Sequence, residues 1–593
     1  MCSIFVVTPL LTMQIKVLLN SKHAFPGENI KLTNLLSGIP STAVIAILCS
    51  VNAGVYHKGE YLDDQLLLLD EVFLQRQPPA IALNLISNLK NAVEASSSKN
   101  AYTSHSIFAP WPLLKFIEHE LSENREPDKS FTDTTPELEL RILKAIFLFN
   151  ENIDKKLHTL IVEPKHKDEV FYAYIWPALF FQYNLTEKSN YFYDFMKGVI
   201  LFLELSKTEY KNSVENFLKK SKYPNIQTYL IQYMNIANYF WQDNRNSVFS
   251  KVGISIKQNE EIRQLVELST INIGECCNLA EDSINFNALR SKPFFKLTND
   301  LHLVFHWDFI SKKLYDGLLF DFIEFSKNNG QPINLPNFKS RFSDTVIENK
   351  LFRSIVKNAF ETKYRSVYFP CNDGESDAYF MIGNSLFILE FKDSYFKSET
   401  IENPTLENIK EEIESKICSV KGFNSNKNKG VGQLLASISK LESLDWFKTQ
   451  KYKPSKLRMQ PVIVVTDKFF TLPGVNKYCA DIFQTQAQIT YNNCNLLEDL
   501  LILDFEFLFT HGVSIQQKKI DFKGIVENYT KYLRAQEKKV KSQRGEIRNV
   551  ELTFLSFNEY CGLQKIEERN SAFVQNLFDI FDLTYGLPTD SQN

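Results

Sequence analysis

The sequence predicts a multidomain protein: a largely α-helical N-terminal region, then an α/β core, then a helical C-terminal tail. Three observations predict this. At 593 residues the chain exceeds one ordinary domain. Apolar residues recur at three-to-four spacing up to about residue 330, the period of helices with one buried face. Beyond KNNGQPINLPNF, residues 327–338, where Asn, Gly and Pro cluster, short β-type runs alternate with helical patterns. The expected division is 1–335 for the helical region, 336–515 for the α/β core and 516–593 for the tail.

In the first region, TPELELRILKAIFLFNENI opens on Thr-Pro, a helix start signal, and continues with helical apolar spacing. SVENFLKKSK and LYDGLLFDFIEFSK read alike. The aromatic stretches FYAYIWPALFFQYNL and YFYDFMKGVILFLEL are expected to pack between helices. No fixed-period repeat supports a regular solenoid. Leu32 to Tyr56 carries no charge but contains Asn34, Gly38, Pro40 and Asn52, so a buried helical hairpin is expected there rather than a membrane span. The first twelve residues lack a basic segment and a small-residue cleavage site, so no signal peptide is read; Met13 is an alternative start to Met1.

Composition narrows the function classes. Hydrophobic content is 44% and net charge is −3, so no global positive field draws the chain to nucleic acid, and any such surface must be local. The nine cysteines include the adjacent Cys276 and Cys277 but no CxxC, which points to free thiols in a cytoplasmic setting and away from a zinc ribbon. There is no GxxxxGK[ST] and no GxSxG. Gly430-x-Gly432 lacks the third glycine of a dinucleotide fingerprint. His302 and His306 stand four apart, a spacing for two ligands on one helix face, but no HExxH accompanies them.

The α/β region reads in order as a helix from about Thr345 to Thr362, the strand-like SVYFP, two strands in ESDAYFMIGNSLFILEFKD, a charged helix over about 405–420, the helix GVGQLLASISKLES and the strand PVIVV. NLLEDLLILDFEFLF supplies a further edge strand or helix. From about 516 the chain becomes polar and helical. The Gly383-Asn384 pair predicts a two-residue hairpin loop, which fixes the register. Ile382 then pairs with Ser385, and Asp377 lies directly opposite Glu390. Glu390, Lys392 and Asp377 share one face with the apolar Tyr379, Met381, Leu386 and Ile388. Opposed residues place their Cβ atoms about 4.5–5.5 Å apart, so the two carboxylates repel unless a cation lies between them. A salt-bridged hairpin end, with Lys392 neutralising one acid and Glu375 lying opposite it, is the alternative.

With that order of elements, Asp377 and the Glu390-Phe391-Lys392 run resemble the PD-(D/E)XK nuclease superfamily over about residues 340–510. The resemblance implies a core of helix, three strands, helix and strand, with Asp on the second strand and Glu-x-Lys on the third. It implies supporting roles for Glu348 on the first helix and Gln433 on the helix after the third strand. Ser376 stands where the family's nominal Pro precedes the Asp.

The implied chemistry is phosphodiester hydrolysis with Mg²⁺, or Mn²⁺, held by Asp377, Glu390 and the backbone carbonyl of Phe391. Lys392 would orient the attacking water and steady the phosphate. Thr345-x-x-Glu348 also fits a capping box, so two roles are open for Glu348. Gln433 is open between a packing amide and a site-orienting one. Residues 421–460 hold nine Lys or Arg against two acids, and Lys427, Lys429 and Lys440, with Lys448, Lys451, Lys453, Lys456 and Arg458, are candidates for phosphate contact or a solvated face. Residues 531–548 are also basic. The expected function is an endonuclease acting on DNA, with RNA an open alternative, in restriction or anti-phage defence. A protein partner is expected for the helical region and no membrane is. The rival reading is a non-catalytic scaffold or nucleic-acid-binding protein with a degenerate core.

Overall fold

The computed structural model describes residues 15–59, 61–97, 103–126, 134–164, 169–186, 190–241, 252–257, 260–271, 285–331, 333–370, 375–449, 457–491, 496–542 and 550–566. Met1, Met13, Cys276, Cys277, Lys451, Lys453 and Lys456 lie outside them. The chain forms two units, one of residues 14–335 with 401–406, the other of 336–400 with the chain from 407 on.

The first unit is mostly helical. Its long helix Pro136–Leu160 starts as its sequence directs: Thr135 is the N-cap, its hydroxyl accepts from the Leu138 amide, and Pro136 follows at the first helical position. The uncharged stretch folds into two helices, Leu32–Leu36 and Ser41–Lys58, joined at Gly38, whose φ of +72° suits glycine. No helix among the described residues is long and apolar enough to cross a membrane. The aromatic stretches form the helices Val170–Tyr174, Trp176–Thr186 and Tyr191–Leu205, with Trp176, Phe180 and Phe202 buried.

Two small sheets join these helices: a parallel pair, Ile15–Leu18 with Thr103–Ser106, and an antiparallel trio of Gly253–Ser255, Phe294–Lys296 and Leu301–Val304. The trio places the two histidines that the sequence sets four apart. His302 lies in a strand, and His306 is the N-cap of helix Trp307–Lys312, its Nδ1 accepting from the Asp308 amide. The two imidazoles therefore share no helix face.

The second unit holds a five-stranded sheet. In chain order its strands are β1 (Val367–Tyr368), β2 (Ala378–Ile382), β3 (Ser385–Lys392), β4 (Arg458–Val465) and β5 (Leu501–Asp504). In space they lie 5-4-3-2-1, with β1–β2 and β2–β3 antiparallel and β3–β4 and β4–β5 parallel. SVYFP gives only a two-residue edge strand, and Pro370 beyond it has no N–H to extend a ladder. NLLEDLLILDFEFLF splits into β5 and the helix Phe505–Gln516. Asp504 makes the break, its side chain accepting from the Glu506 amide as N-cap.

Both faces of β3 are covered, as expected for a strand with a parallel neighbour. On one face, Phe380 stacks between Phe360 and Phe387, and Phe391 lies 4.5 Å from Phe352 and 5.3 Å from Phe505. This packing fixes the helices Arg353–Phe360 and Phe505–Gln516 against the sheet. The other face carries the apolar Tyr379, Met381, Leu386 and Ile388, all buried, and helix Val431–Lys440 packs on β3. The helices Phe522–Ser542 and Phe557–Leu563 belong to this unit, and Phe522 packs against Phe360 and Phe387.

Candidate functional site

The hairpin loop sets the site. Gly383 takes φ +62° as the first of two loop residues, the geometry of a II′ turn. Ile382 pairs with Ser385, and the ladder runs from there to Ala378 opposite Leu389. The next position along that register opposes Asp377 to Glu390.

At that point the ladder is taken apart by side chains. Pairs with mutual backbone bonds alternate from the loop outward, which makes Ser376 and Phe391 the next bonded pair. Neither amide makes that bond. The Phe391 amide donates to Asp377 Oδ2 at 2.6 Å, and the Ser376 amide donates to the Ser437 hydroxyl at 2.8 Å. The Ser376 hydroxyl donates to the same Ser437 oxygen at 2.9 Å. Ser437, buried on helix Val431–Lys440, thus anchors the residue before Asp377. Phe391 presents its C=O on the same strand edge as its N–H, so the carbonyl faces the opened end.

Glu390 is fully buried. Its Oε1 accepts from Lys392 Nζ at 2.6 Å, and its Oε2 has no hydrogen-bond partner. Burial, and then the Asp377 charge, push its pKa up to about 8 against the pull of Lys392. Asp377 is also raised by burial, opposed by Lys392, the Phe391 amide and Arg353. Glu348 is raised to about 7 by burial and by Asp377 and Asp344. Burial depresses Lys392, but Glu390, Asp377 and Glu348 outweigh it and the net direction is upward. The hairpin-end alternative has Lys392 neutralise one acid, and the Lys392–Glu390 ion pair agrees with that part of it.

Glu348 sits in an unexpected element. Ser343–Phe352 is a π-helical stretch, in which the Arg353 amide donates to the Glu348 carbonyl five residues back. Thr345 is no N-cap: its hydroxyl donates to the Arg341 carbonyl inside a helix that has already begun. The capping-box reading of Thr345 and Glu348 is therefore corrected. The Glu348 carboxylate instead belongs to the electrostatic cluster of Asp377, Glu390 and Lys392. π-Helical turns are rare and recur at functional sites.

Gln433 is half-buried and its Oε1 accepts from the Gly430 amide at 3.1 Å, so it caps its own helix. The close glycines have a packing reason. A Cβ on Gly430 would stand 2.0 Å from the Ile417 carbonyl oxygen, and one on Gly432 would stand 2.3 Å from that of Ser419. Lys427, Lys429 and Lys440 are exposed; Lys429 Nζ donates to the Ser415 carbonyl at 3.1 Å.

A hard cation fits the donor types gathered here: two opposed carboxylates, one of them with an orphaned buried oxygen, and a strand-end carbonyl. Among the described residues, no three His, Cys, Asp or Glu side chains converge as a ready-made metal cage. No protein-family model, curated protein or solved structure matches the chain.

Proposed function

We propose that this chain is a Mg²⁺-dependent endonuclease of the PD-(D/E)XK type that hydrolyses DNA, with Mn²⁺ able to replace Mg²⁺. The observation that carries the reading is Glu390: a fully buried carboxylate, one oxygen on Lys392 and the other unpartnered, beside Asp377. Asp377, Glu390 and the Phe391 carbonyl would hold the metal. When bound, it would supply Lewis acidity at the phosphate and lower the pKa of an attacking water.

The chain's own groups would do the rest. Lys392, kept protonated by three carboxylates, would neutralise phosphate charge and orient the water. Glu348, raised to about 7, would accept a proton near neutral pH. With its carbonyl oxygen used as a cap, Gln433 would offer its NH₂ group to substrate. Lys427, Lys429 and Lys440 would contact phosphates. The helical unit would recognise a partner or trigger, and a restriction or anti-phage role rests on analogy with the superfamily alone.

The test is incubation of the purified chain with supercoiled, linear and single-stranded DNA, and with RNA, in Mg²⁺, Mn²⁺ or EDTA. Metal-dependent cleavage that is lost in Asp377→Ala, with folding retained, is the expected result. A scaffold with a degenerate core would cleave nothing and show no site-specific heat on titration with Mn²⁺. RNA-only cleavage would overturn the substrate class.

A further inference from the structure

Between helices Leu406–Ile417 and Val431–Lys440 the chain makes a loop of which the reading above uses only Lys427 and Lys429, as phosphate contacts. It is basic throughout: from Lys416 to Leu441 there are five lysines and no Asp or Glu. It is also rigidly built. Asn424 Oδ1 accepts from the Val420 amide at 2.8 Å, and its Nδ2 donates to the Cys418 carbonyl at 3.0 Å. Asn428 Oδ1 accepts from the Lys421 amide at 2.8 Å, and the Lys429 amide donates to the Ser419 carbonyl at 2.9 Å. The Gly422 amide donates to the Ser425 carbonyl, with Gly422 at φ +83° to make the turn.

This frame holds an aromatic ring in solvent. Phe423 is 57% exposed, whereas the other phenylalanines of this unit whose burial is described are almost all buried. Lys421 and Lys427 are exposed on either side of it in sequence and make no ion pair with a described residue. The loop leads directly into helix Val431–Lys440, whose Ser437 holds Ser376 beside Asp377, so the loop adjoins the proposed centre. At that exposure the ring adds little to the core. A ring flanked by lysines on a rigid loop is how proteins stack an unpaired base while holding its phosphates.

We propose that the 418–430 loop binds single-stranded nucleic acid beside the cleavage site, with a base stacked on Phe423 and phosphates on Lys421 and Lys427. Charge complementarity selects a polyanion, and the ring selects one whose bases are accessible, since a duplex buries its base faces. The inference rests on the nuclease reading for its location but is tested by binding alone.

The test uses the full chain in EDTA and a fluorescein-labelled 12-nucleotide deoxyadenosine strand, its abasic counterpart and a 12-base-pair duplex, by anisotropy. Wild type should bind the single strand more tightly than the abasic strand, which has the same charge and no bases. Phe423→Ala should weaken single-strand binding by about 5- to 150-fold. It should leave abasic binding and the salt slope unchanged, and Phe423→Trp should restore the affinity. Lys421→Gln with Lys427→Gln should weaken all three ligands and flatten the salt dependence. Equal affinity of wild type for normal and abasic strands, or of Phe423→Ala and wild type for the normal strand, would overturn the proposal. Cleavage with either of those results would sink this inference and leave the nuclease reading standing; single-strand binding that needs Phe423, without metal-dependent cleavage, would do the reverse.

Discussion

Glu390→Gln isolates the electrostatic tension of the site. In an unfolded chain the Glu390 carboxyl titrates near 4.5; in the folded protein it titrates at about 8. A carboxyl with a raised folded pKa holds its proton while the unfolded chain has already released one, so folding loses stability as pH rises from the unfolded to the folded value. At about 1.36 kcal/mol per pH unit, the cost grows from roughly 1 kcal/mol at pH 5.5 to roughly 4–5 kcal/mol at pH 8.5. Gln cannot titrate. Lys392 stays protonated across that window, because its net shift is upward. The metal-free wild type should therefore lose about 3 kcal/mol relative to Glu390→Gln between pH 5.5 and 8.5. The chain has two units, so a global melt would mix their transitions. Hydrogen exchange of the 385–392 amides in EDTA, corrected for intrinsic rates, reads this strand directly. A difference between the two proteins that is flat with pH would refute the reasoning.

Three further outcomes follow from the same geometry. Lys392→Met should bind Mn²⁺ and DNA yet cleave at least about a hundredfold more slowly in single turnover, because only an interaction made in the transition state is removed; near-normal turnover would exclude the role. Reversing the charges of Lys427, Lys429 and Lys440 together should weaken DNA binding and lower the slope of log affinity against log salt, by about 0.9 for each duplex phosphate that is no longer neutralised; an unchanged slope would leave them merely solvated. Ser437→Ala should destabilise the second unit by about 1–3 kcal/mol, since the buried Ser376 amide loses its acceptor. It should also slow cleavage by releasing Asp377, whereas an unchanged rate would mean that the Phe391 amide alone positions that carboxylate.

How much of this was legible in the sequence depended on how local the determining interaction was. The hairpin register was fully legible, because a two-residue loop fixes every pair from Ile382–Ser385 to Ala378–Leu389. The apolar face around Asp377 and Glu390 was legible from alternation alone. The setting of Glu348 was not: a π-helical turn has the same apolar residues as an α-helix, so Thr345-x-x-Glu348 imitated a capping box inside a helix already running. The spacing of His302 and His306 carried no structural information, since it spans a strand end and a helix cap. Ser437 went unnoticed although a signal existed. It lies on the buried face of its helix, between Leu434 and Ile438, and a lone hydroxyl there must serve some buried polar group.

The site is costly to the fold. Opening the β2–β3 ladder gives up the backbone pairing of Ser376 and Phe391 and turns a carbonyl toward the gap. Burying Glu390 beside Asp377 sets two like charges against each other, and Lys392, bonded to one oxygen only, leaves Glu390 Oε2 without a partner. None of these helps the fold. A buried hydrophobic pair at positions 377 and 390 would remove both the repulsion and the desolvation cost, and such replacements are often neutral or stabilising. All three costs have the same sign, an excess of negative potential at one strand end. Asp377, Glu390 and the Phe391 carbonyl would hold a divalent cation, whose positive charge would offset these costs. Under the proposed function, that offset is what would set this strand end apart from a poorly packed edge.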